Sequence, residues 1–172
     1  MTRGIIPLYG HEELRDRLRD AASRGALPPT LLFQGMRGVG KQRLALWLGQ
    51  LLLCEQDAAR APCNECNSCR FALQLTHPDL HWYFPRPRPK DSDPDLDEVR
   101  ADYAEAIAER VGEAGLYPPP SGSEGIYIAT VRAMVQQAVL SPAISKRKVF
   151  IVGDAERMVP QEGSEQAANA FL

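Results

Sequence analysis

A glycine-rich loop between two apolar segments is the feature that most restricts the fold of this chain. The loop reads GMRGVGKQ over residues 35–42 and follows the short apolar run TLLFQG at residues 30–35. After the loop, leucines recur at helical spacing, at Leu44, Leu48, Leu51 and Leu52. A strand, a glycine loop and a helix in this order form the context of a phosphate-binding loop. The sequence therefore predicts an α/β, nucleoside-triphosphatase-like core.

The loop supplies six candidate anion-binding residues, Gly35, Gly38, Val39, Gly40, Lys41 and Gln42. Gly38 and Gly40 allow backbone N–H groups to turn toward a phosphate at the helix N-terminus, and Lys41 adds a positive charge. A phosphate loop normally ends in Ser or Thr, whose hydroxyl binds Mg²⁺, but this chain has Gln42. The longer amide would have to displace a water from a tight octahedral shell, so we expect no magnesium ligand there.

The second magnesium ligand of an ATPase is also missing. That ligand is an aspartate at the end of a second buried strand. The candidate strand is Val149–Val152, the next residue is Gly153, and the acid follows one place late at Asp154. A slip of one residue turns a side chain to the other face of a strand. The sequence therefore predicts a chain that does not hydrolyse ATP, and it leaves nucleotide binding without magnesium open.

A second motif consists of four cysteines with the spacing C-x8-C-x2-C-x2-C, namely Cys54, Cys63, Cys66 and Cys69. C-x2-C turns bring pairs of sulfur atoms together, and four thiolates complete a tetrahedral zinc site with no open position. The spacing therefore predicts a structural Zn²⁺ in a small inserted module over residues 54–69. A redox pair and a set of unligated thiols are the alternatives.

Composition and charge exclude several other classes. The 172 residues, 44% hydrophobic and 24% charged, suit a globular domain with one core. A net charge of −2 gives no basis for binding nucleic acid by charge alone. No apolar run approaches the roughly 18 residues of a membrane span, and the N-terminus lacks a signal-peptide pattern. A cytoplasmic protein without membrane contact is expected.

The rest of the chain alternates strands and helices, which predicts a parallel sheet covered on both faces. The predicted elements are a helix at 11–24, strands at 30–35, 79–84, 126–128 and 149–152, and a last helix beginning within 162–172. Thr130 is predicted to cap another helix, whose inward face is Val131, Met134, Val135, Ala138 and Val139.

Residues 85–125 are predicted to form a surface insertion with one helix, because proline-rich stretches bracket them. An ordinary helix of the core layer is the alternative. His77 is interpreted as a hydrogen-bonded turn residue rather than a fifth metal ligand. The aromatic run Trp82 to Phe84 is interpreted as core rather than as a base-stacking surface.

Several segments together resemble the AAA+ clamp-loader subunits of bacterial DNA polymerase III, specifically the delta prime family. The resemblance lies in GMRGVGKQ, the cysteine module, THPDLHWYFP, VRAMVQQAVLSPAISKRKVFIVGDAERM and EQAANAFL, and it covers residues 1–84 and 126–172. The related gamma/tau subunits keep a Thr after the loop lysine and an Asp-Glu pair after the second strand. This chain has Gln42 and Gly153-Asp154 at those places.

The resemblance implies a AAA+ core domain over residues 1–172, incomplete at its C-terminal end, with the arginine finger, lid and collar beyond Leu172. It implies a rigid stator in a hetero-pentamer with gamma/tau and delta, which places the sliding clamp on primer-template DNA. Such a subunit belongs to a polymerase holoenzyme without being a polymerase or an ATPase itself. The alternatives are an ATP-hydrolysing gamma/tau-like motor and a stand-alone zinc-binding nucleic-acid module.

Overall fold

The computed structural model describes residues 4–91, 94–112 and 117–158. Its helices are α1 (Glu12–Ser23), α2 (Lys41–Leu53), α3 (Asn67–Leu73), α4 (Leu96–Gly112), α5 (Ile128–Val139) and a 3-10 turn at Ala155–Met158; its strands are β1 (Leu80–Tyr83) and β2 (Val149–Val152). The described residues divide into two compact units, one within residues 4–81 and 142–151 and the other within residues 82–141 and 152–158.

The core of the first unit forms where α2 packs against α1. Its buried side chains are Leu18, Leu44, Trp47, Leu48, Leu51 and Ala61. The guanidinium groups of Arg15 and Arg19 lie 5.3 Å and 5.7 Å from the Trp47 ring centre, where they cover its face. The predictions of α1 and of the helix after the glycine loop are confirmed, because apolar residues at helical spacing mark both segments.

The strand predicted at residues 30–35 is wrong. These residues belong to neither strand of the described sheet, and Leu31 and Leu32 are 41% and 74% exposed. A strand requires a neighbour that accepts and donates its backbone hydrogen bonds. No described strand pairs with this segment, so its apolar composition does not produce a buried strand here.

Strands β1 and β2 pair as a two-stranded parallel sheet. The Val149 N–H donates to the Asp79 carbonyl at 2.8 Å, and the Gly153 N–H donates to the Tyr83 carbonyl at the same distance. Pairing advances by four residues along both strands, which is the pattern of parallel neighbours. In the first unit, α2 approaches these strands closely at Gly49, where an added Cβ would lie 2.8 Å from Leu80 Cδ1.

The carboxylate of Asp79 anchors the segment that leads into β2. Asp79 is fully buried, and its oxygens accept hydrogen bonds of 2.6–3.0 Å from three consecutive backbone N–H groups, those of Ala143, Ile144 and Ser145. Burial alone would raise the pKa of Asp79, but the three donors outweigh it and the pKa lies below its usual range. His77 Nδ1 accepts from the Asp79 N–H, which confirms the interpretation of His77 as a turn residue.

In the second unit, an aromatic cluster joins the start of the predicted insertion to α4. Trp82, Tyr83 and Phe84 are 3%, 6% and 0% exposed, which confirms that they are core rather than a stacking surface. The Tyr103 hydroxyl on α4 donates to the Phe84 carbonyl at 2.7 Å. A helix is present as predicted, with Val99 and Tyr103 buried. The boundaries of the insertion at 85 and 125 stay a prediction.

A pair of backbone hydrogen bonds joins the two ends of the segment 85–125. Arg86 and Gly125 exchange N–H···O bonds of 3.0 Å in an isolated antiparallel bridge. The Arg86 guanidinium also makes a bidentate contact with the Asp102 carboxylate of α4, at 2.6 and 2.8 Å. The bridge therefore connects the chain before α4 to the chain after it, and the Arg86–Asp102 contact connects both to α4.

The strand predicted at 126–128 is also wrong, because α5 already begins at Ile128. Its N-cap is Tyr127, without a side-chain hydrogen bond, so Thr130 does not cap the helix as predicted. Thr130 instead lies in the first turn and is buried. The preceding Gly125 pairs with Arg86, so this segment forms a bridge rather than a strand of the sheet.

The inward face of α5 is only partly as predicted. Val131 and Met134 are buried, but Val135 and Val139 are 49% and 78% exposed, and Ala138 is exposed too. Burial is confined to the first two turns, where the helix meets the core, so apolar periodicity overestimates the length of the buried face.

The helix predicted to begin within 162–172 lies outside the described residues. Among the helices that are described, none combines the length and the apolar character needed to cross a lipid bilayer.

Candidate metal centre and phosphate loop

The four cysteines converge just beyond the C-terminal end of α2. Their sulfur atoms all lie within 4.8 Å of one another, with Cys54 to Cys66 at 4.0 Å and Cys63 to Cys69 at 3.9 Å. Zn–S bonds of about 2.3 Å in a tetrahedron place sulfurs about 3.8 Å apart. The donor set therefore fits a tetrahedral thiolate-bound ion such as Zn²⁺, with no position open for water.

Backbone N–H groups point at three of the sulfurs. The Cys66 N–H donates to Cys63 Sγ at 3.3 Å, the Cys69 N–H to Cys66 Sγ at 3.4 Å, and the Gln56 N–H to Cys54 Sγ at 3.4 Å. The second of these bonds makes Cys66 the N-cap of α3. Hydrogen bonds of this kind favour the charged thiolate, so the turns both aim the sulfurs and prepare them for a cation.

The thiols differ in their electrostatic environment. N–H donors from Cys66 and Glu65 lower the pKa of the Cys63 thiol to about 6. Burial raises the pKa of Cys54 and the pKa of Cys69. Coordination to a divalent ion deprotonates a thiol outright. Four simultaneous thiolates in this cluster are thus expected only with a bound cation.

Two polar side chains near the end of α2, which sequence reasoning missed, hold the cysteine turns. Buried Gln50 donates from Nε2 to Asn64 Oδ1 at 3.0 Å and to the Cys69 carbonyl at 3.4 Å. Glu55 Oε1 accepts from the Ser68 N–H at 3.0 Å and from its hydroxyl at 3.1 Å. A polar residue one helical turn before the first cysteine was the available signal for Gln50.

The glycine loop enters α2 directly at its other end. Gly40 is the N-cap of α2 with φ 92, and Gly38 has φ 81. Both values lie in the left-handed region, which strains residues that carry a Cβ. The loop from Gly35 to Val39 is exposed. The predicted sharp turn before a helix N-terminus is therefore present, and anion binding by its six residues stays a prediction.

Two side chains hold the loop in its present shape. Lys41 Nζ donates to the carbonyls of Gly35 and Met36 at 2.8 and 2.9 Å. His11 Nε2 lies 2.6 Å from the Val39 carbonyl oxygen. The lysine expected to bind phosphate thus donates two hydrogen bonds to the loop itself. His11 precedes α1 and is 28 residues distant in sequence, so no local signal indicated this contact.

The first residue after β2 is a glycine, Gly153, and not an acidic residue. Gly153 is buried and bonded through its N–H to the Tyr83 carbonyl. Asp154 follows with φ 47, and its Oδ2 accepts from the Tyr117 hydroxyl at 2.7 Å. The Asp154 carboxylate is thus held by a tyrosine from the predicted insertion, a contact that sequence reasoning missed.

Fold and sites together define an α/β protein in which one helix connects a glycine loop to a four-cysteine cluster. The family model for DNA polymerase III, delta subunit, matches residues 10–172, and the chain belongs to this family. The match is not confined to the cysteine module, which argues against a stand-alone zinc module.

Curated relatives bear out the resemblance to delta prime subunits. The chain is 35% identical over 141 residues to the DNA polymerase III delta' subunit of Pseudomonas aeruginosa, covering 82% of this chain and 31% of that protein. It is 34% identical over 68 residues to delta' of Bacillus subtilis, covering 40% and 20%. It is 38% identical over 73 residues to the tau subunit of Escherichia coli, covering 42% and 11%. No solved structure gives a significant match.

The chain therefore spans between 11% and 31% of the length of these relatives. The alignment with the delta' subunit of Pseudomonas aeruginosa covers 82% of this chain. The likeness to tau is shorter, so the family assignment rests on the delta-type match.

Proposed function

We propose that this chain is part of a non-hydrolysing stator subunit of the bacterial DNA polymerase III clamp loader. In this role it is a rigid, cytoplasmic AAA+-like component of a hetero-pentamer with gamma/tau and delta subunits. The complex uses ATP to place the sliding clamp on primer-template DNA during replication. The family match and the delta' relatives support membership of this complex.

The observation that carries the non-hydrolysing role is the pair of residues at the two magnesium positions. Gln42 replaces the loop hydroxyl, and Gly153 replaces the aspartate at the end of β2. Either change alone removes one ligand of the ion that neutralises the developing charge in phosphoryl transfer. With both ligands missing, this chain does not provide a site for Mg²⁺ and ATP together.

Two contacts of the structure support this role. Lys41 is bonded to the loop carbonyls, and the Asp154 carboxylate is bonded to the Tyr117 hydroxyl. Both charged groups therefore have partners within the chain and are hydrogen-bonded without a nucleotide. A reference subunit benefits from such pairing, because its shape then does not depend on nucleotide.

The cysteine cluster serves as a structural zinc centre in this proposal. The donor distances favour it over a redox pair, since four sulfurs converge rather than two. Zinc would be held by Cys54, Cys63, Cys66 and Cys69, where it crosslinks the end of α2 to α3. Such an ion contributes to folding and supplies no chemistry to a reaction.

Magnesium-dependent phosphate release from ATP by the purified protein tests the stator role. We expect no phosphate release above that of a Lys41→Ala variant. This variant is the baseline because it lacks the positive charge that any phosphate-loop ATPase needs. Turnover that requires Mg²⁺ and disappears in Lys41→Ala would contradict the proposal.

That outcome would favour the second candidate, an ATP-hydrolysing motor of the gamma/tau type. The specific observation in its favour is the 38% identity to the tau subunit of Escherichia coli. Nucleotide binding that persists in EDTA without turnover would instead fit a stator whose loop still holds phosphate.

A further inference from the structure

We propose that Gln50 is a positioning residue of the metal centre, which fixes the two cysteine turns relative to α2. The inference rests on the proposed structural metal. It goes further by assigning the preorganisation of the cysteine cluster to one carboxamide that does not itself bind the ion.

The hydrogen bonds of Gln50 reach both C-x2-C turns. Its Nε2 donates to the Asn64 side chain, in the turn between Cys63 and Cys66, and to the carbonyl of Cys69 at the end of the next turn. Both donor hydrogens of one amide group are thereby used, at 3.0 and 3.4 Å. A single rigid group therefore sets the separation between the two turns.

The partner Asn64 is itself in a restricted conformation. Its φ of 63 lies in the left-handed region, which asparagine tolerates better than most residues. Its Nδ2 donates to the Pro62 carbonyl at 3.4 Å, while its Oδ1 accepts from Gln50. Holding this side chain holds the turn that aims the Cys63 and Cys66 sulfurs.

The position of Gln50 on α2 explains why it reaches the cluster. Residues four apart lie on the same face of a helix, and Cys54 follows Gln50 by four as the C-cap of α2. One face of α2 thus delivers the first sulfur and the amide that places the other three. Gln50 is 5% exposed, in a helix whose other buried residues are apolar or glycine.

A purely structural role makes a different prediction from a positioning role. Burying a carboxamide is unfavourable unless it is hydrogen-bonded, and its loss would then weaken the metal-free and the metal-bound protein equally. A positioning residue instead changes the metal affinity, since outer contacts of metal ligands typically contribute 10-fold to 100-fold to that affinity.

The experiment is a double-mutant cycle on metal affinity. Gln50→Met removes the donors and keeps the length of the side chain. Asn64→Gly removes the acceptor from an exposed position and keeps the left-handed backbone, so it preserves the fold even if Gln50→Met does not. Zn²⁺ affinity is measured by competition with a chromophoric chelator, and the site geometry by the d–d absorption of bound Co²⁺.

We expect each single variant to lose at least 10-fold in Zn²⁺ affinity. The double variant should lose no more affinity than whichever single variant binds Zn²⁺ more weakly. The Co²⁺ bands should shift in Gln50→Met, while the unfolding midpoint of its metal-free form changes little. Gln56→Ala is the control, because the Gln56 side chain is exposed and only its backbone N–H contacts a sulfur.

Two results would overturn the positioning role. One is a Zn²⁺ affinity of Gln50→Met within about 2-fold of the unsubstituted protein, well below the range typical of outer contacts. The other is an additive cycle, in which the two substitutions act independently. If the unsubstituted protein binds neither Zn²⁺ nor Co²⁺, the proposed structural metal centre is wrong. This outcome is seen in the unsubstituted protein and is therefore distinct from a failure of the positioning role.

Discussion

The two ends of α2 carry two sites that differ in whether their charged groups find hydrogen-bond partners within the chain. At the N-terminal end, Gln42 stands where a phosphate loop normally has Ser or Thr, and the Lys41 ammonium is bonded to the carbonyls of Gly35 and Met36. At the C-terminal end, four sulfurs converge within 4.8 Å of one another, and backbone N–H groups donate to three of them.

The difference teaches which site depends on a ligand for its shape. Lys41 and Asp79 are charged groups whose hydrogen bonds come from the chain itself, so we expect their conformations not to depend on a ligand. Four thiolates cannot satisfy one another, because like charges repel. The loop should therefore be insensitive to added or removed ligands, and the cysteine cluster should be highly sensitive.

Chelation of the proposed Zn²⁺ is the strongest test of this contrast. Isolated zinc modules gain on the order of 10 kcal/mol from their ion, so we expect chelation to lower the melting temperature of the first unit by more than about 10 °C. Circular dichroism melting with and without a zinc chelator measures the effect.

The matched control for chelation is Cys69→Ser, which removes one ligand. Chelation should leave the melting curve of that variant nearly unchanged if the ion acts through the four cysteines. An identical melting curve for the original protein before and after chelation would remove the basis for the contrast.

Asp79→Asn tests a buried charge that the chain satisfies without a ligand. The amide lacks one acceptor and brings its own N–H groups against the three backbone donors, so we expect a loss of about 3 kcal/mol in the free energy of unfolding. Urea denaturation measures it, with the exposed Asp57→Asn as the control.

The same carboxylate predicts a pH dependence with a definite sign. The three N–H donors hold the folded-state pKa of Asp79 below its usual range despite burial. The unfolded chain then binds a proton at higher pH than the folded one. The contribution of Asp79 is present above the ordinary Asp pKa of about 3.9 and is lost as pH falls below it. A flat difference between the original protein and Asp79→Asn from pH 6 to pH 2 would contradict this.

The sequence predicts the parts of this molecule that depend on local pattern. The helix after the glycine loop, both strands of the sheet and the clustering of the cysteines follow from periodicity and spacing over short stretches. The segment at 30–35 shows the limit, because a strand depends on a neighbour that its own residues do not specify.

Side-chain partners distant in sequence are the other part that pattern does not reveal. His11 contacts a loop residue 28 positions away, and Tyr117 contacts an aspartate 37 positions away. The exposed Val135 and Val139 show a related limit, since periodicity identifies a helix face but not how far the core extends along it. These contacts are set by the fold as a whole.

Lys41→Ala gives the smallest expected effect and tests the N-terminal end of α2. The substitution removes two hydrogen bonds from a solvent-accessible ammonium group, so we expect a loss of about 1 kcal/mol in the free energy of unfolding. Urea denaturation measures it, with Lys146→Ala on an exposed loop as the control. The loss should be the same with and without Mg²⁺ and ATP, since the lysine stabilises the loop and not a bound nucleotide. A loss that grows several-fold when Mg²⁺ and ATP are added would show that the loop end, like the cysteine end, depends on a ligand.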